Sequence, residues 1–149
     1  MIKELKKEEL KEDFFDLYYE GFLFHYNHRK DLFKKRNIEE LKEYVYEGLE
    51  NGLKILGIIE KEKLLGYIAY EIKEKVTKCL WIDEFVIKEE YRHKGYGTKL
   101  MERINEITEE EKINRIELNC YSFNENAIKL YKKLGYTEQR FILEKKKGE

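Results

Sequence analysis

Two glycines and a group of basic residues form the stretch of this chain with the clearest chemical potential. An apolar, β-branched run ends at Ile87, and Gly95 and Gly97 then flank a tyrosine before an amphipathic helical pattern starts near Thr98. Glycine lets a ligand approach the backbone closely, and the first amides of a helix have no partner inside the helix. Together with the helix dipole, these amides favour an anion such as phosphate. The predicted anion site consists of Arg92, His93, Lys94, Gly95, Tyr96, Gly97 and Thr98.

The spacing of this loop matches neither of the two best-known phosphate motifs. A Walker A loop needs G-x-x-x-x-G-K-[ST], which does not occur in the chain. A dinucleotide-binding fingerprint would need a third glycine where Leu100 stands. What remains is R-x-x-G-x-G, at Arg92, Gly95 and Gly97, a pattern that a solvated surface turn also satisfies.

Two neighbouring carboxylates, Asp83 and Glu84, interrupt the apolar run that leads into the loop. Burial would raise the pKa of either one toward the range of a general base. Since neighbouring strand residues point to opposite faces, Asp83 is expected to share a face with Trp81 and Phe85, and Glu84 with Val86. A strand bulge would shift this alternation, so both acids are candidates. The structural alternative is a pair of edge carboxylates that face water.

A second pattern follows later in the chain, N-x-x-A-x-x-L-Y-x-x-L-G-Y, starting at Asn124. Asn124 suits the N-cap of a short helix, where its side chain would accept from a free amide, and Gly135 suits the end of that helix. Tyr131 shares a helical face with Ala127 and Leu134. On this local evidence Tyr131 is a core aromatic residue.

Together, the glycine loop and the later pattern resemble motifs A and B of the GNAT superfamily of N-acetyltransferases. In that superfamily an [RQ]-x-x-G-x-[GA] loop after the fourth strand holds the pyrophosphate of acetyl-CoA. The order of elements agrees across nearly the whole chain, although the first third matches only in the number and placement of its helices. The resemblance implies one domain over residues 1–149 that moves an acetyl group from the cosubstrate acetyl-CoA directly to a primary amine, without a metal.

The resemblance also implies roles for individual residues. Tyr131 falls where these enzymes place their general acid, and Asp83 should occupy the face on which similar enzymes often carry an acid. A backbone amide near Val86 or Ile87 would stabilise the developing oxyanion. Asn124 would contact the pantetheine or phosphate arm of CoA. Glu84 stays the alternative base.

Two other classes of protein compete with this interpretation. One is a non-catalytic acetyl-CoA-binding sensor or interaction module of the same fold, against which the combination of Tyr131 with the two acids speaks. The other is a nucleic-acid-binding protein that uses Phe24, Tyr26, Arg29 and the basic residues 34–36, against which the net charge of −1 speaks. The acceptor is not readable from the sequence: a small amine, a polyamine, an aminoglycoside or a peptide amine would suit an aromatic and acidic lining.

Composition sets broad limits on the 149-residue chain. Hydrophobic residues make up 42% and charged residues 41%, which allows one packed core with a strongly solvated surface. No apolar run approaches the ~18 residues that span a bilayer, and we expect neither a signal peptide nor membrane binding. Cys79 and Cys120 lack metal-ligand spacing, so we expect reduced thiols in a cytoplasmic protein. His25 and His28 are interpreted as part of the wall of the acceptor pocket or as ordinary surface residues. A homodimer is compatible with the sequence.

These candidate residues need elements to position them. Hydrophobic periodicity predicts helices over residues 8–24, 38–50, 98–112 and 124–134, with Asn37 and Glu40 forming a capping box before the second. Strands are predicted over residues 2–5, 53–60, 64–73, 79–87, 115–121 and 136–146, with a hairpin turn at residues 61–63. The predicted fold class is α+β (mixed α/β), a GNAT-like fold with a central, mostly antiparallel sheet of six to seven strands, about four helices and one parallel crossover.

Overall fold

The computed structural model describes residues 1–74 and 76–148, which contacts between Cα atoms divide into two compact units, Met1–Asn119 and Cys120–Glu149. The first unit contains a five-stranded sheet and three helices. Its strands are β1 (Ile2–Glu4), β2 (Lys54–Glu60), β3 (Lys63–Glu74), β4 (Lys78–Ile87) and β5 (Ile116–Leu118). Its helices are α1 (Glu12–His28), α2 (Ile38–Glu50) and α3 (Tyr96–Glu110). Within the described ranges, no helix is both long enough and apolar enough to cross a membrane.

The sheet has the order β1-β2-β3-β4-β5, and every pairing is antiparallel except the parallel pair of β4 and β5. Because α3 connects two parallel neighbours, it is the crossover that the sequence predicted. The predicted fold class is therefore confirmed. The strand count is lower than predicted, five among the described residues instead of six or seven.

Two local predictions near the start of the sheet are also confirmed. The side chain of Asn37 accepts a hydrogen bond from the Glu40 amide at 2.9 Å, and the Asn37 amide donates to the Glu40 carboxylate at 3.2 Å. This reciprocal capping box starts α2. Lys61 and Glu62 have positive φ values of 50° and 64°, which are typical of a type I′ turn. These two residues join β2 to β3 as a two-residue hairpin.

The helices cover both faces of the sheet. On one face, Phe14 of α1 and Val45 of α2 pack in a buried cluster with Tyr67 and Ala69 of β3. On the other face α3 lies close to β4, since a Cβ added to Gly97 would meet the Phe85 ring at 3.1 Å. The first face carries the acidic residues described below, and the second carries the start of α3.

The parallel pair of β4 and β5 is short and leaves part of β4 open. Pairing begins at Leu80 with Ile116 and ends at Ile82 with Leu118. The sequence predicted a longer strand, over residues 115–121. In the described part of the chain no strand pairs with residues 83–87 of β4 on the β5 side. The sheet therefore has an open edge at the carboxyl-terminal half of β4.

The second unit contains α4 (Glu125–Lys133), one residue shorter at each end than predicted. Gly135, at φ 94°, follows it in the left-handed region that favours glycine. The predicted strand over residues 136–146 is wrong, because no strand is formed between residues 136 and 148. Phe141, Ile142 and Leu143 are instead at least 76% exposed. Their apolar, β-branched character signals a strand, but a strand also needs a neighbouring backbone with which to pair.

Gly66 allows β3 and β4 to approach each other closely at Ile87, the last residue of the open edge. A Cβ at this position would lie 2.5 Å from Ile87 Cδ1 and 2.6 Å from the Val86 carbonyl oxygen. Because a backbone atom cannot move aside cheaply, we expect Gly66→Ala to destabilise the protein by about 1–3 kcal/mol in urea unfolding. The matched control is Gly21→Ala in α1, where the nearest atom would be 3.9 Å away. That change should stabilise by about 0.5–1 kcal/mol, and equal destabilisation by both changes would contradict the assignment.

Candidate active site

A β-bulge in β4 determines where the two acidic residues lie. Ala69 of β3 is paired with Glu84, but the next residue, Tyr70, is paired with Ile82. Asp83 is therefore an extra residue in β4 without its own partner in β3. The register shift falls at the point where β5 also stops pairing with β4.

The bulge brings both acids to the same face of the sheet. Glu71, two residues beyond the partner of Glu84 in β3, lies on the face of Glu84. The Asp83 carboxyl is within hydrogen-bonding reach of the Glu71 carboxyl, so Asp83 also lies on this face. The predicted common face of Glu84 and Val86 is confirmed. The predicted common face of Asp83 and Phe85 is wrong, because the extra residue resets the alternation.

Glu71, Asp83 and Glu84 form the acid cluster, and its environment raises the pKa of two of these carboxyls. Burial raises the pKa of Glu84 to about 7. The pKa of Asp83 is also raised, first by burial and then by the hydrogen bond and charge of Glu71, while Lys73 opposes the shift. Because a carboxyl disfavours the ionisation of a neighbouring carboxyl, the proximity of Glu71 contributes to the raised pKa of Asp83.

Helix α1 covers the acid cluster with an aromatic side chain that the sequence did not single out. Tyr18 is partly buried against the core. Burial and then the charges of Glu84 and Asp83 raise the pKa of Tyr18 above its usual range. The Tyr18 phenol is therefore neutral and close to both carboxyls. The helical periodicity of this segment predicted a helix, but it did not show which strand residues the helix packs against.

The open edge of β4 presents the amide of Ile87. The Lys88 amide donates to the Leu65 carbonyl at 2.9 Å, which makes these residues a hydrogen-bonded antiparallel pair. Since such pairs alternate along a ladder, Ile87 is in a non-bonded pair and Val86 in a bonded one. The N–H of Ile87 therefore points away from β3, whereas that of Val86 points toward it. Arg92 Nε donates to the Ile87 carbonyl at 2.9 Å, on the same open side.

The glycine loop, residues 92–98, connects this edge to α3. Gly95 is the N-cap residue with φ 87°, and His93 also has a positive φ of 62°. Helix α3 begins at Tyr96, two residues before the predicted start at Thr98. Its first turn contains no acidic residue, and no side chain caps it. The first amides of α3 are thus left for an outside acceptor, in a loop that also contains Arg92 and His93.

Some side chains of the glycine loop contact protein groups. The Tyr96 hydroxyl donates to Glu60 of β2 at 3.1 Å. The ammonium group of Lys99 lies 5.5 Å from the centre of the Tyr96 ring, and that of Lys94 lies 5.9 Å from the centre of the Tyr91 ring. Tyr96 therefore has a packing role, and the anion-binding capacity of the loop comes mainly from its backbone.

The second unit carries the two remaining candidate residues. Asn124 is the N-cap residue of α4, but its side chain makes no capping hydrogen bond, which corrects the predicted cap. Asn124 is only partly buried, so its side chain is available to hydrogen-bond with solvent or a ligand. The Tyr131 ring packs edge-on against Tyr136 with centroids 5.7 Å apart. The Tyr136 amide also donates to the Tyr131 carbonyl at 2.9 Å, which closes the end of α4.

The two histidines of α1 each contact a backbone carbonyl of the same helix. His25 Nδ1 lies 2.9 Å from the Gly21 carbonyl oxygen, and His28 Nδ1 lies 2.7 Å from the Phe24 carbonyl oxygen. Among the residues that the structure describes, no group of three or more His, Cys, Asp or Glu side chains could hold a metal ion.

The first unit thus combines three chemical capacities along β4 and the loop that follows it. A carboxyl with a pKa near 7 can take up a proton at neutral pH. An outward-pointing amide at Ile87 can donate to an oxygen that gains negative charge. The start of α3 can bind an anionic group such as a phosphate. A general base, an oxyanion donor and an anion site together suit transfer of an acyl group from a phosphate-bearing donor.

Comparison with known proteins agrees with this chemistry. Residues 8–136 match the sequence model described as the Acetyltransferase (GNAT) family. The spermine/spermidine N(1)-acetyltransferase of Bacillus subtilis (strain 168) is 30% identical over 105 residues, which are 66% of this chain and 65% of that relative. The chain thus matches just under two thirds of the length of this relative.

Two further proteins show how far the similarity extends. The thialysine N-epsilon-acetyltransferase of Bos taurus is 29% identical over 74 residues, 48% of this chain and 44% of that relative. A crystal structure of a mutant of the BH1408 protein from Bacillus halodurans superposes with a TM-score of 0.86 at 21% identity, covering 98% of both chains. At this identity the second likeness concerns the fold alone.

Proposed function

Since this chain belongs to the acetyltransferase (GNAT) family, we propose that it is an N-acetyltransferase that moves the acetyl group of acetyl-CoA to a primary amine of a small polycationic acceptor. The observation that carries the proposal is the acid cluster beside the open edge of β4. Glu84, with a pKa of about 7, lies on the same strand as the outward-pointing amide of Ile87. The glycine loop follows within the same stretch of chain.

The residues present fit acetyl-CoA. The uncapped first turn of α3, with Gly95 in the left-handed region, suits the pyrophosphate. The open edge of β4 would accommodate the pantetheine arm and leave the Ile87 N–H for the thioester oxygen, and Asn124 stays a candidate contact from the second unit. Acetyl-CoA would supply the acetyl thioester and the departing thiol. Arg92, tied to the Ile87 carbonyl, would keep the loop joined to the strand.

Glu84 is the proposed general base. An alkyl ammonium has a pKa of about 10.4, so reaching the free amine at pH 7 costs about 4–5 kcal/mol. A carboxylate with an ordinary pKa near 4 is a weak acceptor for that proton, whereas Glu84 is much closer to the optimum. The ammonium N–H bond breaks, the proton moves to a Glu84 oxygen, and the electron pair stays on nitrogen for attack on the thioester carbon. The Ile87 amide would donate to the oxygen that becomes negative.

The pair of Asp83 and Glu71 supports an acceptor with more than one amino group. While Glu84 takes the proton from the reacting nitrogen, this pair can hold a second ammonium group. The Bacillus subtilis relative is named for spermine and spermidine, which are amines of this kind. A polyamine is therefore the acceptor class that we propose.

Acetyl transfer itself is tested by following thiol release from acetyl-CoA with spermidine, a peptide amine and a monoamine such as propylamine. We expect kcat/KM for spermidine to exceed that for propylamine by about tenfold or more, because one charged hydrogen bond contributes about 1.5–3 kcal/mol. Equal kcat/KM values for spermidine and propylamine would contradict a polyamine as the acceptor class. Binding of acetyl-CoA without thiol release in any mixture would favour the alternative, a sensor or interaction module of the same fold.

Tyr131 keeps the proposed role of general acid for the departing thiol. Proton transfer from a phenol of pKa ~10 to a thiolate of pKa ~8.5 is uphill by about 2 kcal/mol, so a hydrogen bond to the thiolate suffices for the role. Tyr131→Phe keeps the ring that packs against Tyr136. We expect turnover to fall at least about tenfold while the affinity for acetyl-CoA changes little. Steady-state kinetics and direct binding measure the two quantities, and near-parental turnover would make Tyr131 a packing residue.

A further inference from the structure

A buried phenol beside the acid cluster has no evident partner. Tyr67 of β3 is fully buried, with its ring 4.7 Å from the centroid of Phe14 and stacked 6.5 Å from that of Tyr18. Its hydroxyl makes no hydrogen bond with any residue that the structure describes. A buried hydroxyl is almost always paired, with protein or with an ordered water. Phenylalanine would fill the same ring position without a polar atom, so the buried hydroxyl of Tyr67 needs an explanation of its own.

The strand register places Tyr67 near Glu84, on the same face of the sheet. Tyr67 is paired with Val86, and Glu84 lies two residues before Val86 on the same face. Tyr67 and Glu84 are therefore diagonal neighbours across β3 and β4, a spacing that long side chains can bridge. After burial, the charge of Glu84 is the main cause that raises the pKa of Tyr67. The same charge acts on the Tyr18 phenol from the side of α1.

We propose that the Tyr67 hydroxyl positions Glu84 for proton transfer by donating, through one buried water, to the Glu84 carboxylate. A buried water needs about two to four polar partners, and the Tyr67 hydroxyl, the Tyr18 hydroxyl and Glu84 supply three. The inference rests on the proposed function for its catalytic meaning, but the linkage between the two side chains can be measured without catalysis.

Tyr67 is a positioning residue in this scheme and exchanges no proton with the acceptor. Its raised pKa keeps the phenol O–H intact at neutral pH, so the phenol can only donate a hydrogen bond. The proton from the acceptor ammonium ends on Glu84, as described above. Stabilising the charged carboxylate keeps the pKa of Glu84 from rising further above neutrality. Two other titratable groups interact with the Glu84 charge, Tyr18 of α1 and Asp83 of β4. Glu71 and Lys73 of β3 in turn interact with Asp83.

The test is a titration of glutamate carboxyl carbons by NMR in the protein without acetyl-CoA or acceptor. The Glu84 signal is identified by its loss in Glu84→Gln. We expect Tyr67→Phe to raise the pKa of Glu84 by roughly one unit, because a hydrogen-bond donor to the carboxylate is removed. The matched control is Tyr70→Phe, a buried phenol on the same strand that is paired with Ile82 on the opposite face. That control should leave the Glu84 titration unchanged.

An unchanged Glu84 pKa in folded Tyr67→Phe overturns the proposal. Should Tyr67→Phe not fold, a crystal structure of the parent decides: a water within hydrogen-bonding distance of both Tyr67 Oη and Glu84 supports it, and a different partner for the hydroxyl refutes it. In an active enzyme, the acidic limb of the profile of kcat/KM against pH should move with the NMR pKa. A shifted pKa without any acetyl transfer would retain the linkage and reject the proposed function, so the two failures are distinguishable.

Discussion

Glu84→Gln is expected to lower turnover at pH 7 by about 10²–10⁴-fold, the usual contribution of a general base. Glutamine has the shape of glutamate but cannot take a proton from the acceptor ammonium. Only the small fraction of acceptor that is already neutral can then react, and forming the neutral amine at this pH costs about 4–5 kcal/mol. Steady-state thiol release with saturating acetyl-CoA measures the effect.

The dependence of kcat/KM on pH distinguishes the loss of a general base from a nonspecific loss of activity. Because the pKa of Glu84 is about 7, kcat/KM of the parent should rise through neutrality as the carboxylate forms. Glu84→Gln should lack this limb, and its deficit should shrink at high pH, where more acceptor is already neutral. If Asp83→Asn shows this pattern and Glu84→Gln does not, the base is Asp83, the other acid of the bulge.

Thermal stability provides a check that Glu84→Gln is folded. The direction of the expected change in stability with pH follows from proton linkage. The pKa of Glu84 is raised in the folded state above an unfolded value near 4.3. The folded state therefore binds more protons between these values, and the associated stability is lost as pH rises through about 7. Glu84→Gln removes this titration, so we expect it to melt above the parent at pH 8 and close to the parent at pH 4. A lower melting temperature at pH 8 would attribute the lost activity to unfolding.

Gly95→Val is expected to weaken acetyl-CoA binding by about 100-fold or more. Gly95 has φ 87°, which a β-branched side chain adopts only with strain, so the first amides of α3 should turn away from their common direction. In the parent, acetyl-CoA at 100 times its Kd should stabilise the folded state by about 2.7 kcal/mol. The same concentration should give the variant less than about 0.5 kcal/mol, measured as the ligand-dependent rise in Tm.

Gly52→Val is the matched control for the strain itself. Gly52 also has a positive φ, 101°, and, as at Gly95, a Cβ there would meet no atom within 4 Å. It follows α2, away from the glycine loop. Both variants should lose some stability without ligand, but only Gly95→Val should lose the response to acetyl-CoA. An equal response in the two variants would place the phosphate site elsewhere.

Much of this architecture follows from local physical chemistry that is visible in the sequence. The capping box of Asn37 and Glu40 satisfies helix amides within three residues, so its pattern alone located the start of α2. Strand, glycine loop and helix occur in succession around Gly95, and the left-handed backbone there is one that glycine adopts readily. The parallel crossover also followed from element order, because a helix between two strands leads naturally to parallel neighbours.

The details of the candidate site depend on contacts that no local pattern contains. Whether Asp83 and Glu84 share a face depends on one extra residue in β4 relative to β3. The selection of the Ile87 amide over that of Val86 depends on which pairs of that ladder are hydrogen-bonded. Both are properties of register, and register is decided by packing between segments that are separate in sequence.

The missing strand after α4 has the same physical origin. Residues 136–146 have a composition suited to a strand, and the sequence therefore predicted one, yet Phe141 and Ile142 are exposed and unpaired strands do not persist. Likewise, burial of Tyr67 against the face that carries Glu84 could not be read from twelve tyrosines of similar appearance. The sequence determined the elements, the loop and the candidate residue types, because these depend on neighbours in the chain. Tertiary structure alone decided which carboxyls, amides and phenols meet, because those encounters depend on the pairing of distant strands.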